Sequence, residues 1–145
     1  MIILDTNVVS EAIKPNRDQK VVAWLNEQAP ETLYLTAISL SELLLGVEIL
    51  PSGKRKNQIS TGINQLLDKI FGTRILPFDQ DAARIHAPII AAARASGKTV
   101  SLYDGQIAAI AKLHGFAVAT RDTNLFTTLN VDVLNPWLFK VQRHL

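Results

Sequence analysis

Four acidic residues are candidates for chemistry because of where they fall along the chain. Asp5 directly follows the apolar segment Ile2–Leu4, and Asp122 follows a second strand-like segment. Glu42 and Asp104 are expected in the first turns of two helices. In an open α/β sheet, ligands bind beyond the carboxyl ends of the strands, which is where Asp5 and Asp122 are expected. A group of carboxylates favours a hard divalent cation, Mg²⁺ or Mn²⁺, over zinc.

Each of these acids also has a purely structural interpretation. Glu42 lies three residues after Ser39, and Asp104 lies three residues after Ser101, which is the spacing of a helix capping box. An acid in the first turn of a helix also interacts favourably with the helix dipole. The other two acids can be turn residues, since Asp is common in turns. These interpretations weaken when the four are taken together, because carboxylates that share a cleft repel each other unless a cation compensates.

Composition excludes several other kinds of site. The absence of cysteine excludes a disulfide scaffold, thiolate metal sites and cysteine catalysis. The sequence contains no serine-hydrolase elbow, no phosphate-binding P-loop and no dinucleotide-binding glycine motif. The formal net charge of +2 is a weak indication of an anionic partner. The three histidines are expected to be structural or exposed and are assigned no role: His86, His114 and His144.

Short strand-like segments alternate with helical ones along the chain. The predicted strands are 2–4, 33–37, 74–78, 117–120 and 131–134. The predicted helices are 8–14, 18–28, 39–50, 54–70, 81–96 and 102–114. This alternation predicts an α/β fold whose parallel sheet is covered on both faces. With no repeat or linker, we expect a single domain over residues 1–145.

No targeting or membrane segment is apparent in the sequence. The apolar run at the N-terminus is too short for a signal peptide and has no basic residues before it. No stretch reaches the roughly 18 apolar residues that a membrane span requires. We therefore expect a cytoplasmic protein without a membrane partner.

The segments around the four acids resemble the motifs of the PIN-domain ribonucleases, specifically the VapC/FitB-type toxins of bacterial toxin–antitoxin systems. The motifs are L-D-T-N at 4–7, S-E-L-x-x-G at 41–46, D-G-x-I-A-A-x-A at 104–111, T-R-D at 120–122 and N-P-W at 135–137. The last of these resembles the FitB branch in particular. Each string is short, but four acidic motifs in this order and spacing within 145 residues make the resemblance specific.

The resemblance implies a PIN fold, a mostly parallel sheet flanked by helices, with an acidic quartet in one pocket. Carried over residue by residue, the catalytic and metal-binding quartet is Asp5, Glu42, Asp104 and Asp122. The family's activity implies Mg²⁺- or Mn²⁺-dependent hydrolysis of RNA phosphodiester bonds. A metal held by Asp5 and Asp104, with Asp122 bound directly or through water, would polarise the phosphate and activate water. Glu42 would orient that water or accept its proton.

Polar residues beside the acids are expected to support the site. Thr6, Asn7 and Thr120 match the family's supporting positions and are the right size to hydrogen-bond carboxylates or substrate. Ordinary capping and turn hydrogen bonds are the alternative. Arg121 suits a phosphate contact, and its alternative is a salt bridge to a neighbouring acid.

Two positions depart from the commoner family pattern. Many members have Asn where this chain has Asp122, followed three residues later by an acid just before a phenylalanine. Here Leu125 precedes Phe126, so the fourth carboxylate approaches from a different place and the number of metal ions is left open. Tyr103 stands where a small residue is usual. We interpret it as buried packing, with base stacking as the alternative.

The resemblance also implies partners. We expect an RNA substrate, a cognate antitoxin that is a small DNA-binding protein, and a homodimer. The leucine-rich helix 39–50 is compatible with an interface, although burial on two sides within one subunit is the alternative. The basic run 54–56 could track an RNA backbone, but such a run is more often a solvated face.

Two other functions are weighed against the toxin ribonuclease. The first is a catalytically weak PIN scaffold that works mainly through its complex with a DNA-binding antitoxin. Retention of all four acids argues against it, because a dead site has no reason to maintain their repulsion. The second is a phosphohydrolase of small molecules, for which the pattern D-x-D-x-[TV] would require an acid at Asn7.

Overall fold

The computed structural model describes residues 1–141, which form a five-stranded, wholly parallel sheet flanked by helices. The strands are β1 (Ile2–Leu4), β2 (Leu33–Thr36), β3 (Ile75–Leu76), β4 (Ala117–Ala119) and β5 (Val133–Leu134). Their order across the sheet is β3-β2-β1-β4-β5, so the first strand is central. The predicted α/β fold with a parallel sheet is confirmed.

Seven α-helices cover the sheet in the described part of the chain. They are α1 (Thr6–Ile13), α2 (Gln19–Glu27), α3 (Ala37–Glu48), α4 (Lys54–Leu66), α5 (Gln80–Ala95), α6 (Leu102–His114) and α7 (Thr123–Thr128). A π-helical turn, Leu67–Phe71, continues α4, and 3-10 turns occur at Pro30–Thr32 and Pro136–Leu138. The first six helices correspond to predicted ones, whereas α7 was not predicted. Within residues 1–141 no helix is both long enough and apolar enough to cross a bilayer.

The sheet is buried on both faces because successive residues of its strands point to opposite sides. Ile3 packs into the apolar cluster formed with α5, α6 and α7, whereas Leu4 packs into the cluster formed with α1 to α4. Val118 and Ala119 divide between the same two clusters. Two-sided burial explains why the strands read as continuous apolar runs rather than as alternating ones.

The long helices α5 and α6 pack closely because Gly105 is buried between them. A Cβ atom added at this position would lie 2.6 Å from Ile90 Cδ1 and 3.1 Å from His86 Nε2. The His86 ring also contacts Phe78 edge-on, with 5.7 Å between the ring centroids. The glycine of the D-G motif therefore allows the helix that carries Asp104 to dock against its neighbour.

The histidines largely follow the expectation. His86 is half-buried in this packing, and His114 is exposed at the C-terminal end of α6. His144 lies outside the described residues.

Candidate active site

The site forms where β1 and β4 end side by side. The parallel register pairs Leu4 with Ala119, and the Asp5 backbone N–H donates to the Ala119 carbonyl at 2.9 Å. The residues that follow these two strands, Asp5 and Thr120, are therefore neighbours although 115 positions separate them. This juxtaposition follows from the parallel topology and brings the L-D-T-N and T-R-D motifs together.

Asp5 is a buried carboxylate, only 4% exposed. Its Oδ1 accepts from the Thr6 backbone N–H at 2.8 Å, and its Oδ2 accepts from the Thr120 hydroxyl at 2.8 Å. Burial raises the pKa of Asp5 to about 6, although these two hydrogen bonds oppose the rise and the charges of Asp104 and Asp122 add to it. Ionisation of Asp5 is therefore less favourable than that of an ordinary aspartate.

Asn7 links the two strand ends through its side chain. Its Nδ2 lies 3.4 Å from Asp5 Oδ2, 3.5 Å from Thr120 Oγ1 and 3.3 Å from Asp122 Oδ2. Its Oδ1 accepts from the Arg121 backbone N–H at 3.4 Å. Thr120 Oγ1 in turn accepts from the Asp122 backbone N–H at 2.9 Å. Asn7 and Thr120 thus hold the loop after β4 against the start of α1.

The capping interpretation of Glu42 is wrong. The N-cap of α3 is Thr36, whose hydroxyl accepts from the Ser39 backbone N–H at 3.0 Å. The helix therefore starts at Ala37, and Glu42 lies in its second turn instead of its first. The Glu42 carboxylate accepts from the Thr6 hydroxyl at 3.0 Å and faces the ends of the strands.

Asp104 keeps the local contact that its spacing predicted. Ser101 is the N-cap of α6, and its Oγ accepts from the Asp104 backbone N–H at 3.1 Å. The Ser101 hydroxyl also donates to Asp104 Oδ2 at 2.7 Å. This contact fixes the carboxylate at the edge of the site, so the capping and site interpretations of Asp104 are compatible.

All four predicted acids line one open cleft of about 420 Å³. Three of the predicted supporting residues, Thr6, Asn7 and Arg121, line it as well. Thr120 is fully buried behind Asp5 and contributes through its hydroxyl. The structure thus brings the predicted site residues together around a single cavity.

The sequence interpretation missed four further residues of the cleft wall: Ser10, Glu11, Lys14 and Trp137. Ser10 and Glu11 follow Asn7 at intervals of three and four residues, so they lie on the same face of α1, and Lys14 is the residue that ends this helix. That helical spacing was the signal available in the sequence. Glu11 is a fifth carboxylate of the cleft and, like Asp5, is buried; it is paired with Lys14 Nζ at 3.3 Å and with the Asp18 backbone N–H at 3.1 Å.

The donor chemistry of the cleft fits a hard divalent cation, because carboxylate oxygens dominate it and Asp5 is buried with a raised pKa. Within residues 1–141, however, no three acidic or histidine side chains are close enough to form a ready-made metal cluster. The charges of Asp104 and Asp122 contribute to the raised pKa of Asp5 across the cleft. An ion would have to draw these carboxylates together or use water to complete its ligand shell.

Three expectations about surrounding side chains are decided by the structure. Arg121 forms no salt bridge with any of residues 1–141, and its guanidinium carbon lies 5.1 Å from the Trp137 ring centroid. The buried interpretation of Tyr103 is wrong, because the residue is 53% exposed in a first turn of α6 that extends beyond the packed core. Burial of α3 on two sides is also wrong, since Leu44, Leu45 and Ile49 are exposed.

The basic run at the start of α4 matches the solvated-face interpretation in its surroundings. Lys54 and Arg55 are exposed. Lys56 is half-buried, and its Nζ donates to the Glu48 carbonyl at 3.2 Å. None of the three lines the acidic cleft.

Comparison with known families identifies the architecture. Residues 2–129 match the family described as the PIN domain. The chain belongs to the PIN-domain family. The resemblance to FitB and VapC toxins that the motifs predicted is confirmed by the relatives and structures below.

Two relatives align over nearly their whole length. The chain is 47% identical over 137 residues to Toxin FitB of Neisseria gonorrhoeae, covering 94% of this chain and 99% of that one. It is 46% identical over 137 residues to VapC ribonuclease Y4jK of Sinorhizobium fredii, covering 94% and 98%. A solved structure of FitAB bound to an IR36 DNA fragment contains a chain 45% identical to this one. The TM-score is 0.90, with 99% of this chain and 100% of that chain covered.

Proposed function

We propose that this PIN-domain protein is a divalent-metal-dependent ribonuclease that hydrolyses RNA phosphodiester bonds and acts as the toxin of a toxin–antitoxin pair. The observation that carries the proposal is the cleft, in which four carboxylates share one cavity around the buried Asp5. Its likeness to a FitB toxin and a VapC ribonuclease over almost the full chain supports the same reaction class.

In this proposal Asp5, Asp104 and Asp122 hold Mg²⁺ or Mn²⁺. When bound there, the ion would supply Lewis-acid activation of the phosphate and would lower the pKa of a bound water. Glu42, positioned by the Thr6 hydroxyl, orients the attacking water and accepts its proton. Asn7 and Thr120 keep the acids of the two strand ends in place.

The proposed partner is a small DNA-binding antitoxin that covers the cleft. The FitAB complex on DNA supports this inference for the present chain. We also propose that the protein forms a cytoplasmic homodimer of single-domain subunits. The exposed apolar side chains of Leu44 and Leu45 on α3, and of Ile49 at its C-cap, supply a surface that association would cover.

The direct test is cleavage of a mixed-sequence, single-stranded RNA by antitoxin-free protein. We expect cutting in Mg²⁺ or Mn²⁺ and none in a chelator. Asp5→Asn should lose cleavage, whereas Asp81→Asn, a matched change at an exposed residue of α5, should keep it. Cleavage that persists in the chelator or in Asp5→Asn would contradict the proposal.

The scaffold alternative makes a different prediction for the same assay. A catalytically weak protein would fold and bind its antitoxin but cut no RNA in any metal. Growth arrest on expression without antitoxin, abolished by Asp5→Asn, would then indicate a narrow RNA target instead of a scaffold. Expression without growth arrest would support the scaffold.

A further inference from the structure

One pair of cleft residues has no part in the acidic machinery described above. Arg121 and Trp137 both line the cleft, and the Arg121 guanidinium lies over the indole ring at 5.1 Å from its centroid. Sixteen positions separate the two residues, which belong to the T-R-D and N-P-W motifs. Their contact therefore joins two motifs that the sequence presents as independent.

Trp137 is a firmly held platform. Its side chain is 9% exposed and belongs to the same apolar cluster as Val8 and Val21. Its backbone N–H donates to Asn135 Oδ1 at 3.0 Å, which caps the 3-10 turn Pro136–Leu138. That turn packs against α2. The indole ring is thus fixed by its own turn and by the core, independently of Arg121.

The backbone of Arg121 is fixed by a hydrogen bond, whereas its guanidinium has no carboxylate partner among residues 1–141. Its backbone N–H donates to Asn7 Oδ1 at 3.4 Å, which places the residue beside the acidic cluster. Although Asp122 is its neighbour in sequence, no carboxylate among residues 1–141 lies within 4 Å of its guanidinium nitrogens. A guanidinium stacked on one aromatic face keeps its N–H edge available to a second partner.

Arg121 pairs with no carboxylate among residues 1–141 and stacks on a buried ring, so its guanidinium is available to bind an anion from solution. The N–H edge of a guanidinium matches two oxygens of a phosphate in a bidentate contact. A phosphodiester in the cleft beside the acidic cluster is the anion that the proposed reaction brings there. Without the indole ring, the exposed and flexible arginine side chain would sample many positions, including pairing with the acids.

We propose that Trp137 is a positioning residue that holds the Arg121 guanidinium at the cleft wall, where it binds a phosphate flanking the scissile one in single-stranded RNA. The inference rests on the proposed ribonuclease function and names the residues that would set substrate affinity. Because the contact is made to a non-reacting phosphate, it stabilises bound substrate and transition state alike. Its loss should raise KM and leave kcat nearly unchanged.

The test measures binding of a fluorescent single-stranded oligoribonucleotide without divalent metal, so that no cleavage occurs, over a range of salt concentrations. Arg121→Ala should weaken binding about tenfold. It should also reduce the slope of log affinity against log salt concentration by about one, because one phosphate contact is lost. Arg84→Ala, which removes an exposed charge from α5 away from the cleft, is the matched control and should bind like the wild type.

Variants of Trp137 separate positioning from folding. Trp137→Phe keeps an aromatic face and should bind within about twofold of the wild type, whereas Trp137→Leu should weaken binding nearly as much as Arg121→Ala. The double variant of Trp137→Leu and Arg121→Ala should bind no more weakly than Arg121→Ala alone, because the indole acts through the arginine. Thermal unfolding of each variant identifies any that fail to fold.

Several outcomes would overturn the inference. Wild-type affinity in Arg121→Ala would show that the guanidinium binds no phosphate, and additive losses in the double variant would show that Trp137 acts by another route. A loss in Trp137→Phe equal to that in Trp137→Leu would also contradict the stacking role. RNA binding and cleavage by the wild type alongside any of these results would leave the ribonuclease proposal standing. A wild type that neither binds nor cuts RNA would defeat both.

Discussion

The acidic cleft and the α5–α6 interface adjoin in sequence at Asp104 and Gly105, but they affect the stability of the fold in opposite ways. At the interface, Gly105 omits a side chain so that neighbouring helices can approach, and the surroundings are largely apolar. In the cleft, Asp5 is buried as a carboxylate whose pKa burial raises to about 6, with further acids around the same cavity. The interface favours the folded state, whereas the cleft disfavours it in the absence of a cation.

This difference indicates that the residues needed for activity and the residues that stabilise the fold are different ones. A buried, ionised carboxylate has a free-energy cost that a neutral residue of the same shape would avoid. The hydrogen bonds from Thr6 and Thr120 reduce this cost but leave the pKa of Asp5 raised. Removing a cleft acid should therefore abolish activity without loss of stability, and adding a side chain at the interface should do the reverse.

The largest expected effect is on catalysis by Asp5→Asn. The variant keeps the shape of the side chain but loses its charge, so it should reduce metal-dependent RNA cleavage by at least about a hundredfold. Single-turnover cleavage at saturating metal measures this rate. Wild-type activity in the variant would show that Asp5 is a structural turn residue.

The opposite case is Gly105→Val at the interface. A branched side chain there must displace Ile90 and His86, so we expect a loss of about 2–3 kcal/mol in the free energy of unfolding. Gly105→Ala should cost much less, because its better helix propensity offsets part of the contact and the end of Ile90 can rotate. Urea unfolding of both variants checks this ranking, and equal stabilities would indicate a loosely packed interface.

The pH dependence of stability distinguishes the two regions further. Because the pKa of Asp5 is about 6 when folded and 3.8 when unperturbed, the folded state binds its proton more tightly. The destabilisation from Asp5 is therefore full above about pH 6 and disappears below about pH 4. The free energy of unfolding of metal-free Asp5→Asn should exceed that of the wild type by about 3 kcal/mol at pH 7, and most of this difference should be lost near pH 4. A stability difference independent of pH would contradict the raised pKa.

A smaller effect is expected from Thr6→Val. The substitution removes the hydroxyl that contacts both Ser39 and Glu42 but keeps the shape of the side chain. Cleavage should fall about tenfold because Glu42 is less well positioned, while stability should change by less than about 1 kcal/mol. Thr61→Val, whose hydroxyl donates to the Asn57 carbonyl on exposed α4, is the matched control and should cleave normally. Equal rates in the two variants would remove Thr6 from the site.

Much of the fold and of the acidic cluster could be predicted because both depend on regular patterns. Apolar runs alternating with helical periods predict a parallel sheet, and parallel strands end at one edge. That rule alone places Asp5 near Asp122. The link through Asn7 and the buried hydroxyl of Thr120 required the register between β1 and β4.

Other features could not be predicted because tertiary contacts decide them. Helix α7 contains three threonines and an asparagine in six residues, which is a poor helix-forming sequence. Its Phe126 is fully buried in the core, a tertiary contact that favours the helix. The start of α3 depends on which hydroxyl caps it, and Thr36 and Ser39 were both available. The stacking of Arg121 on Trp137 joins separate loops and has no local signal.

The measurement that tests the central claim most directly is a calorimetric titration of the antitoxin-free protein with Mn²⁺, with Asp5→Asn alongside. If the acids of the cleft bind a divalent ion, the wild type should bind Mn²⁺ and release protons near pH 6, where Asp5 is partly protonated. Asp5→Asn should bind at least tenfold more weakly and release fewer protons. Equal binding and equal proton release by the two proteins would contradict the claim that Asp5 belongs to a metal-dependent active site.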